Sequence, residues 1–162
     1  MPTRLTLVNK IAELALAVNY QLATAESCTG GGVAKALTEV AGSSAWFTCG
    51  LVTYSNLAKQ QLLDVSATSL ETYGAVSEPV VKAMVKGACE KGLANLAVAI
   101  SGVAGPGGGS PEKPVGTVWL AWGTAEKQLA TAFNFAGDRR QIREASIDKA
   151  LQGLLEWLES SR

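Results

Sequence analysis

The run Leu96-Ala97-Val98-Ala99-Ile100 contains no polar side chain and passes straight into Ser101-Gly102-Val103-Ala104-Gly105-Pro106-Gly107-Gly108-Gly109. A strand without polar alternation is of the type buried on both faces, as in sheets covered by helices above and below. The glycines that follow mark a loop whose backbone must come close to something. Segments able to cover such a strand surround it. Leu7, Ile11, Leu14 and Val18 recur at helical steps and predict a helix over about residues 5–18. Ser77 reads as an N-cap, with Pro79 tolerated in the first turn and Val81, Met84, Val85 and Ala88 forming an inward stripe up to Gly92. A last helix, over about residues 138–159, turns Ile147, Leu151, Leu154 and Leu158 inward.

Further strands separate these helices. Residues 21–25 read as a strand entering Ser27-Cys28-Thr29-Gly30-Gly31-Gly32, with a helix after it to about Val40. Residues 47–54 are rich in strand formers and end at the capping pair Ser55-Asn56, which leads into a helix over 57–63. A short helix near 69–73 stops at Gly74, and residues 115–122 and 128–135 form two strands joined by a short polar turn. Helices alternating with buried strands imply a three-layer α/β/α sandwich with a mixed, mostly parallel sheet. With 162 residues, 48% of them hydrophobic, and no repeat or linker, the expectation is one domain over 1–162.

Fourteen Lys and Arg balance fourteen Asp and Glu, with no basic stripe, so neither a nucleic-acid nor an anionic-membrane partner is expected. Cys28, Cys49 and Cys89 are odd in number and lack CxxC spacing, which suits reduced thiols. Ala23-Thr24-Ala25 imitates a signal-peptide cleavage site, but Asn9, Lys10 and Glu13 break the apolar run before it. The expected compartment is therefore the cytoplasm. Trp46-Phe47 serves either as core or as a dimer surface, which leaves a homodimer open.

The chain contains no histidine, so a Ser-His-Asp triad, a Cys-His pair and an HExxH zinc site are all excluded. A hydrolase built from this sequence needs a lysine or carboxylate as base. Ser27 sits where a strand should turn into a helix, so the amides of Cys28, Thr29, Gly30 and Gly31 offer an oxyanion hole or an anion cradle; the alternative is a helix cap with glycines for tight packing. Lys59 is the candidate base, provided burial or its own helix N-terminus lowers its pKa; otherwise it is a surface lysine. Ser101 relays a proton, holds the lysine or makes a loop hydrogen bond, and Tyr54 orients the base, stacks on a ligand or packs in the core. Arg139 and Arg143 stand four residues apart at the start of the last helix, a spacing suited to a phosphate clamp or to ordinary solvated charges. Ser110-Pro111-Glu112-Lys113 imitates an SxxK motif, but Pro111 and the preceding glycines oppose the helix that motif requires. Carboxylates such as Glu26, Asp64 and Asp138 are scattered, so no metal site is expected.

Five segments in order, Ala25-Glu26-Ser27-Cys28-Thr29-Gly30-Gly31, Val52-Thr53-Tyr54-Ser55-Asn56 with Lys59, Gly74-Ala75-Val76-Ser77, Ser101-Gly102-Val103-Ala104-Gly105-Pro106 and Lys113-Pro114-Val115-Gly116-Thr117-Val118, closely resemble the C-terminal domain of the competence-damage protein CinA. Stand-alone members of that family look like nicotinamide-nucleotide amidases of the PncC type; larger members carry an additional N-terminal domain. The resemblance implies hydrolysis of the carboxamide of nicotinamide mononucleotide to nicotinate mononucleotide and ammonia, with no cofactor or metal. It implies a serine nucleophile at Ser27, a lysine base at Lys59 and a supporting hydroxyl at Ser101, where threonine is common in the family. Tyr54 is carried into the catalytic set, and Cys28, Thr29, Gly30, Gly31, Asn56, Gly102, Gly105, Arg139 and Arg143 into the substrate-binding set. Cys49 and Leu51 depart from the small residues usual before the tyrosine. A non-catalytic nucleotide-binding module and an amidase for another carboxamide remain as alternatives.

Overall fold

A computed structural model describes residues 2–161. The chain runs α1 (Arg4–Ala17), β1 (Leu22–Glu26), α2 (Gly32–Leu37), a single 3₁₀ turn (Ser43–Ala45), β2 (Phe47–Val52), α3 (Asn56–Leu63), α4 (Ala67–Tyr73), α5 (Glu78–Gly92), β3 (Leu96–Gly102), β4 (Thr117–Gly123), β5 (Gln128–Asn134) and α6 (Arg139–Ser160). The sheet order is β2-β1-β3-β4-β5. β1 lies parallel to both β2 and β3, while β4 opposes both of its neighbours. Every strand except β4 therefore points the same way, and the pairings divide evenly between parallel and antiparallel.

Side-chain size along the central strands sorts the two covering layers. Leu22, Leu96, Val98, Ile100, Val118, Leu120 and Trp122 join the core formed with α1, α2 and α6. The alternate positions Ala23, Ala25, Ala97, Ala99 and Ala121 face the other core, which α5 dominates through Val81, Met84, Val85 and Ala88. Alanines at the centre of that face let α5 approach closely and lie across the sheet, with Trp119, Cys49 and Leu51 packed at its margins, while the bulky face is covered by two helices, α1 and α6, packed side by side. The α6 side has its own close approach. The Trp122 indole N–H donates to Ala150 O at 2.9 Å, and a Cβ placed on Gly153 would collide with the Trp122 indole ring.

Three helices begin at a hydroxyl cap, and of these Ser55 is the one expected from the sequence. Thr3, Ser55 and Ser66 accept hydrogen bonds from Thr6, Ala58 and Ser69 amides. Asp138 and Gln141 close a reciprocal capping box on α6. Ser77 precedes α5 as expected, but its hydroxyl donates to Gly74 O at 2.7 Å instead of capping the helix. Several boundaries differ from the sequence expectation: β2 ends at Val52, α4 begins at Ala67 and β4 begins at Thr117. β3 continues through Ser101 and Gly102, because β4 pairs with both. α2 starts only at Gly32 and ends at Leu37, because the preceding residues form a loop of their own. Trp46 is 1% exposed and belongs to the core, so it offers no dimer surface. No helix among the described residues is long and apolar enough to cross a membrane.

Candidate active site

The chain leaves β1 for β2 on one side of the sheet and reaches β3 on the other, with α2 and α5 on opposite faces. A sheet splits open where its connections diverge, at the carboxyl ends of the strands. Ser27 is the first residue beyond β1 at that point, held by its amide donating to Ile100 O at 3.0 Å. The residue before it, Glu26, closes an otherwise uncharged strand and is completely buried. Its Oε1 accepts from the Thr29 hydroxyl at 2.6 Å and the Val33 amide at 2.9 Å, and its Oε2 accepts from the Ala34 amide at 3.0 Å. The carboxylate thus takes up free amides of the first turn of α2 and lies at its positive end. Glu26 is missing from the sequence-based candidates; a carboxylate closing an otherwise uncharged strand was the available signal, because such a group must find partners when buried.

Lys59 rises from α3 into the same crevice and is 1% exposed. Its Nζ lies 3.1 Å from Ser27 Oγ, 3.1 Å from Thr53 O and 3.3 Å from Tyr54 O. Burial pulls its pKa below the ordinary 10.5, against a smaller opposing pull from Cys28. The three contacts also decide how a neutral amine must be oriented. Carbonyl oxygens can only accept, so Thr53 O and Tyr54 O take the two remaining N–H bonds and the lone pair is left facing Ser27 Oγ. Cys28, next to the serine, is a poor rival nucleophile, because burial pushes its thiol up to about 11.

Around this pair lies a cleft of about 310 Å³ lined by Ser27, Cys28, Tyr54, Asn56, Lys59, Ser101, Gly102, Gly105 and Arg139, among others, a size within the range of small-molecule sites. Ala75 and Val76, from the turn between α4 and α5, complete one wall. The Ser101 hydroxyl makes no hydrogen bond to Lys59 or to any other described residue. The Tyr54 ring is exposed, and its hydroxyl accepts from Arg139 Nη2 at 2.9 Å, while Arg139 Nη1 donates to Gly105 O at 2.7 Å. Arg139 therefore ties the Tyr54 segment to the glycine loop across the cleft mouth. Gly105 has φ +79°, and a Cβ there would meet Val115 Cγ1 at 2.5 Å, so the loop can fold this closely only with glycine.

Several expected site residues stand behind the cleft. The Thr29 hydroxyl is spent on Glu26, and the Gly30 amide donates to Ser27 O at 3.0 Å. Because α2 starts at Gly32, whose amide donates to Thr29 O, and the next two amides go to Glu26, the helix terminus is not turned to the cleft. Of the loop amides, those of Cys28, Thr29 and Gly31 donate no hydrogen bond among the described residues, and only Cys28 lines the cleft. Gly31 and Gly30 pack near Val52 and Arg143 respectively. Arg143 does not pair with Arg139 as a clamp, since its Nε donates to Cys28 O at 3.0 Å and so braces the serine loop from outside. Ser110 and Lys113 form a turn in which Ser110 Oγ accepts from the Lys113 amide, and the Lys113 ammonium donates to Tyr73 O at 2.6 Å.

The model of the CinA C-terminal domain matches residues 4–158. The chain is 52% identical over 151 residues to the nicotinamide-nucleotide amidohydrolase PncC of Pseudomonas putida, covering 93% of this chain and 94% of that protein. It is 56% identical over 132 residues to PncC of Escherichia coli K12, covering 81% and 80%. The crystal structure of the competence damage-inducible protein A from Klebsiella pneumoniae superposes with a TM-score of 0.94 at 38% identity, covering 98% of each chain. This likeness and the Ser27–Lys59 pair support an amidohydrolase of that general type acting on a nucleotide. A match over nearly the whole length, shared by sequence and fold, places the chain in the CinA C-terminal domain family.

Proposed function

We propose that this chain hydrolyses the carboxamide of nicotinamide mononucleotide to nicotinate mononucleotide and ammonia, with Ser27 as nucleophile and Lys59 as base. The observation that carries the reading is the buried Lys59 Nζ, 3.1 Å from Ser27 Oγ, with both of its other contacts on carbonyl oxygens. Neutral Lys59 takes the Ser27 proton as Oγ attacks the carboxamide carbon, giving a tetrahedral intermediate. The Cys28 amide, next to the nucleophile and on the cleft wall, stabilises the developing oxyanion. The lysine then gives its proton to the amine, the C–N bond breaks, and ammonia leaves an acyl ester on Ser27. Water, deprotonated by the same lysine, hydrolyses that ester and restores the serine. The unpaired Ser101 hydroxyl supports the substrate or the water from the β3 side.

Arg139 reads the phosphate. It lines the cleft from the first turn of α6, whose positive end adds to its own charge, and it retains N–H groups beyond those given to Gly105 and Tyr54. Arg143 supports the serine loop instead. Ammonia release measured on nicotinamide mononucleotide, nicotinamide riboside and free nicotinamide tests the reading. Turnover of the phosphorylated nucleotide well above the other two supports it. Tight binding without turnover would instead mark a nucleotide-binding module, and preference for an unphosphorylated amide would mark a different amidase.

A further inference from the structure

The cleft at Ser27 has an apolar part drawn from two segments remote in sequence. Apart from Cys28 and Tyr54 beside the nucleophile, the apolar side chains on its surface are Ala75 and Val76, from the turn between α4 and α5, and Val103 and Ala104, from the glycine-rich loop after β3. The two segments are held very differently. The loop closes on itself: the Val103 amide donates to Thr117 O and the Gly116 amide to Val103 O, both at 2.8 Å, and the Ser110 amide donates to Lys113 O at 3.0 Å. A Cβ on Gly109 would lie 2.9 Å from Val115 N, so the outgoing and returning arms of the loop are in contact. The turn has no comparable support. The backbone groups of Ala75 and Val76 make no hydrogen bond among the described residues, and Ser77 Oγ donates only to Gly74 O, within the turn itself.

A side chain from the loop supplies what the turn lacks. Lys113 Nζ donates to Tyr73 O at 2.6 Å. Among the described residues this is the only hydrogen bond from residues 73–76 to a part of the chain outside α4 and α5. Tyr73 ends α4, so its carbonyl is one of those a helix leaves without a partner, at the negative end of the dipole, where a cation is favoured. Lys113 forms no ion pair among the described residues, so its charge serves this contact alone. The fit is close, since a Cβ on Gly74 would stand 3.1 Å from Lys113 Nζ. At its other end the lysine is fixed to the loop, with its amide donating to Ser110 Oγ at 3.1 Å.

We propose that Lys113 is a positioning residue that sets the place of the Ala75–Val76 wall relative to the glycine-rich loop, and with it the width of the cleft offered to the substrate's aromatic ring. The inference rests on the reading of the chain as an amidase for nicotinamide mononucleotide. In that reading Ser27 and Lys59 act on the carboxamide and Arg139 takes the phosphate, which leaves the apolar walls for the pyridine ring. Without the ammonium, the turn keeps only its own Ser77–Gly74 bond and the packing of Ala75 against the α5 core. The ring then loses a fixed wall while the phosphate keeps its arginine, so discrimination among rings falls more than affinity for the nucleotide.

Lys113→Cys removes the ammonium, and alkylation of that cysteine with 2-bromoethylamine rebuilds it on a side chain of nearly the same length; wild type treated identically controls for the native thiols. Hydrogen exchange at the Gly74 and Ser110 amides, bonded to Leu70 O and Lys113 O, should quicken by about tenfold in the variant and return after alkylation. Ammonia release is then compared between nicotinamide mononucleotide and an analogue methylated on the pyridine ring. Wild type should favour the unsubstituted ring by about tenfold or more, the scale on which a pocket reads one methyl group. Lys113→Cys should cut that preference about threefold or more with KM for the natural nucleotide changed less than about threefold, and alkylation should restore it. Recovery shows that the unalkylated variant is folded. Equal losses on the two substrates, a preference that alkylation does not restore, or unchanged exchange at Gly74 overturns the proposal. Exchange is read without substrate, so a wild type that releases no ammonia refutes the amidase reading separately, and the brace is then judged by exchange alone.

Discussion

Replacing Glu26 by glutamine tests whether the buried carboxylate anchors the serine loop. In the structure its two oxygens accept three hydrogen bonds, from the Thr29 hydroxyl and the Val33 and Ala34 amides. A glutamine of the same shape has one accepting atom. If that atom serves Thr29 and Val33, an NH₂ group faces the Ala34 N–H and that bond is lost. A hydrogen bond to a charged group is worth about 1.5–3 kcal/mol, and loss of the charge at the α2 terminus adds up to about 1 kcal/mol. The expected destabilisation is therefore about 2–4 kcal/mol, or roughly 5–15 °C in Tm for a domain of this size. Paired urea and thermal unfolding should show this with an unchanged m-value. The loop that carries Ser27 shifts with its anchor, so kcat should fall by about 10- to 100-fold. A variant that melts within about a degree of wild type, well below the smallest shift in that range, would refute the assignment of Glu26 as the anchor.

The pH profile follows from the lowered Lys59 pKa. The base works when neutral, so kcat/KM should rise with pH through a one-proton limb whose midpoint lies below 10.5; Lys59→Arg, which stays protonated, should be inactive throughout. The same shift makes folding stability rise with pH between the folded Lys59 pKa and 10.5, because the unfolded chain holds the extra proton there, as equilibrium unfolding across that window should show. Arg139→Ala should raise KM for nicotinamide mononucleotide by about 10- to 100-fold and change kcat/KM little for the unphosphorylated riboside; equal losses on both would place the arginine elsewhere. Since burial holds the Cys28 thiol at about 11, Cys28→Ala should retain turnover within a few-fold and iodoacetamide should inactivate slowly at neutral pH, and rapid protection-sensitive alkylation would contradict this.

The layers follow from patterns visible along the chain. Leu96–Ile100 demanded cover on both faces, and the stripes on α1, α5 and α6 supplied it, with Ile11, Met84 and Leu154 all completely buried. That Ser27, Lys59 and the segment from Ser101 to Gly105 share one cleft was also legible, because each lies at the carboxyl end of a strand in the same sheet. The distribution of loop amides was not. It depends on Glu26 reaching from the end of β1 across a loop to Val33 and Ala34 in α2, a contact between two elements that the period of neither encodes. For the same reason, four-residue spacing made Arg139 and Arg143 look like a pair, while the structure sends one to the cleft mouth and the other to Cys28 O. Spacing along a helix shows which side chains are adjacent, but their partners on other elements decide what each one holds.

The central claim is that Ser27 Oγ attacks the carboxamide with Lys59 as its base. The most direct measurement is ammonia release from nicotinamide mononucleotide by wild type and Ser27→Ala, with folding of the variant verified by thermal unfolding. The account predicts that turnover falls by about 10⁴-fold or more, as when a nucleophile is removed from a working dyad. A folded Ser27→Ala protein retaining turnover within tenfold of wild type would contradict it.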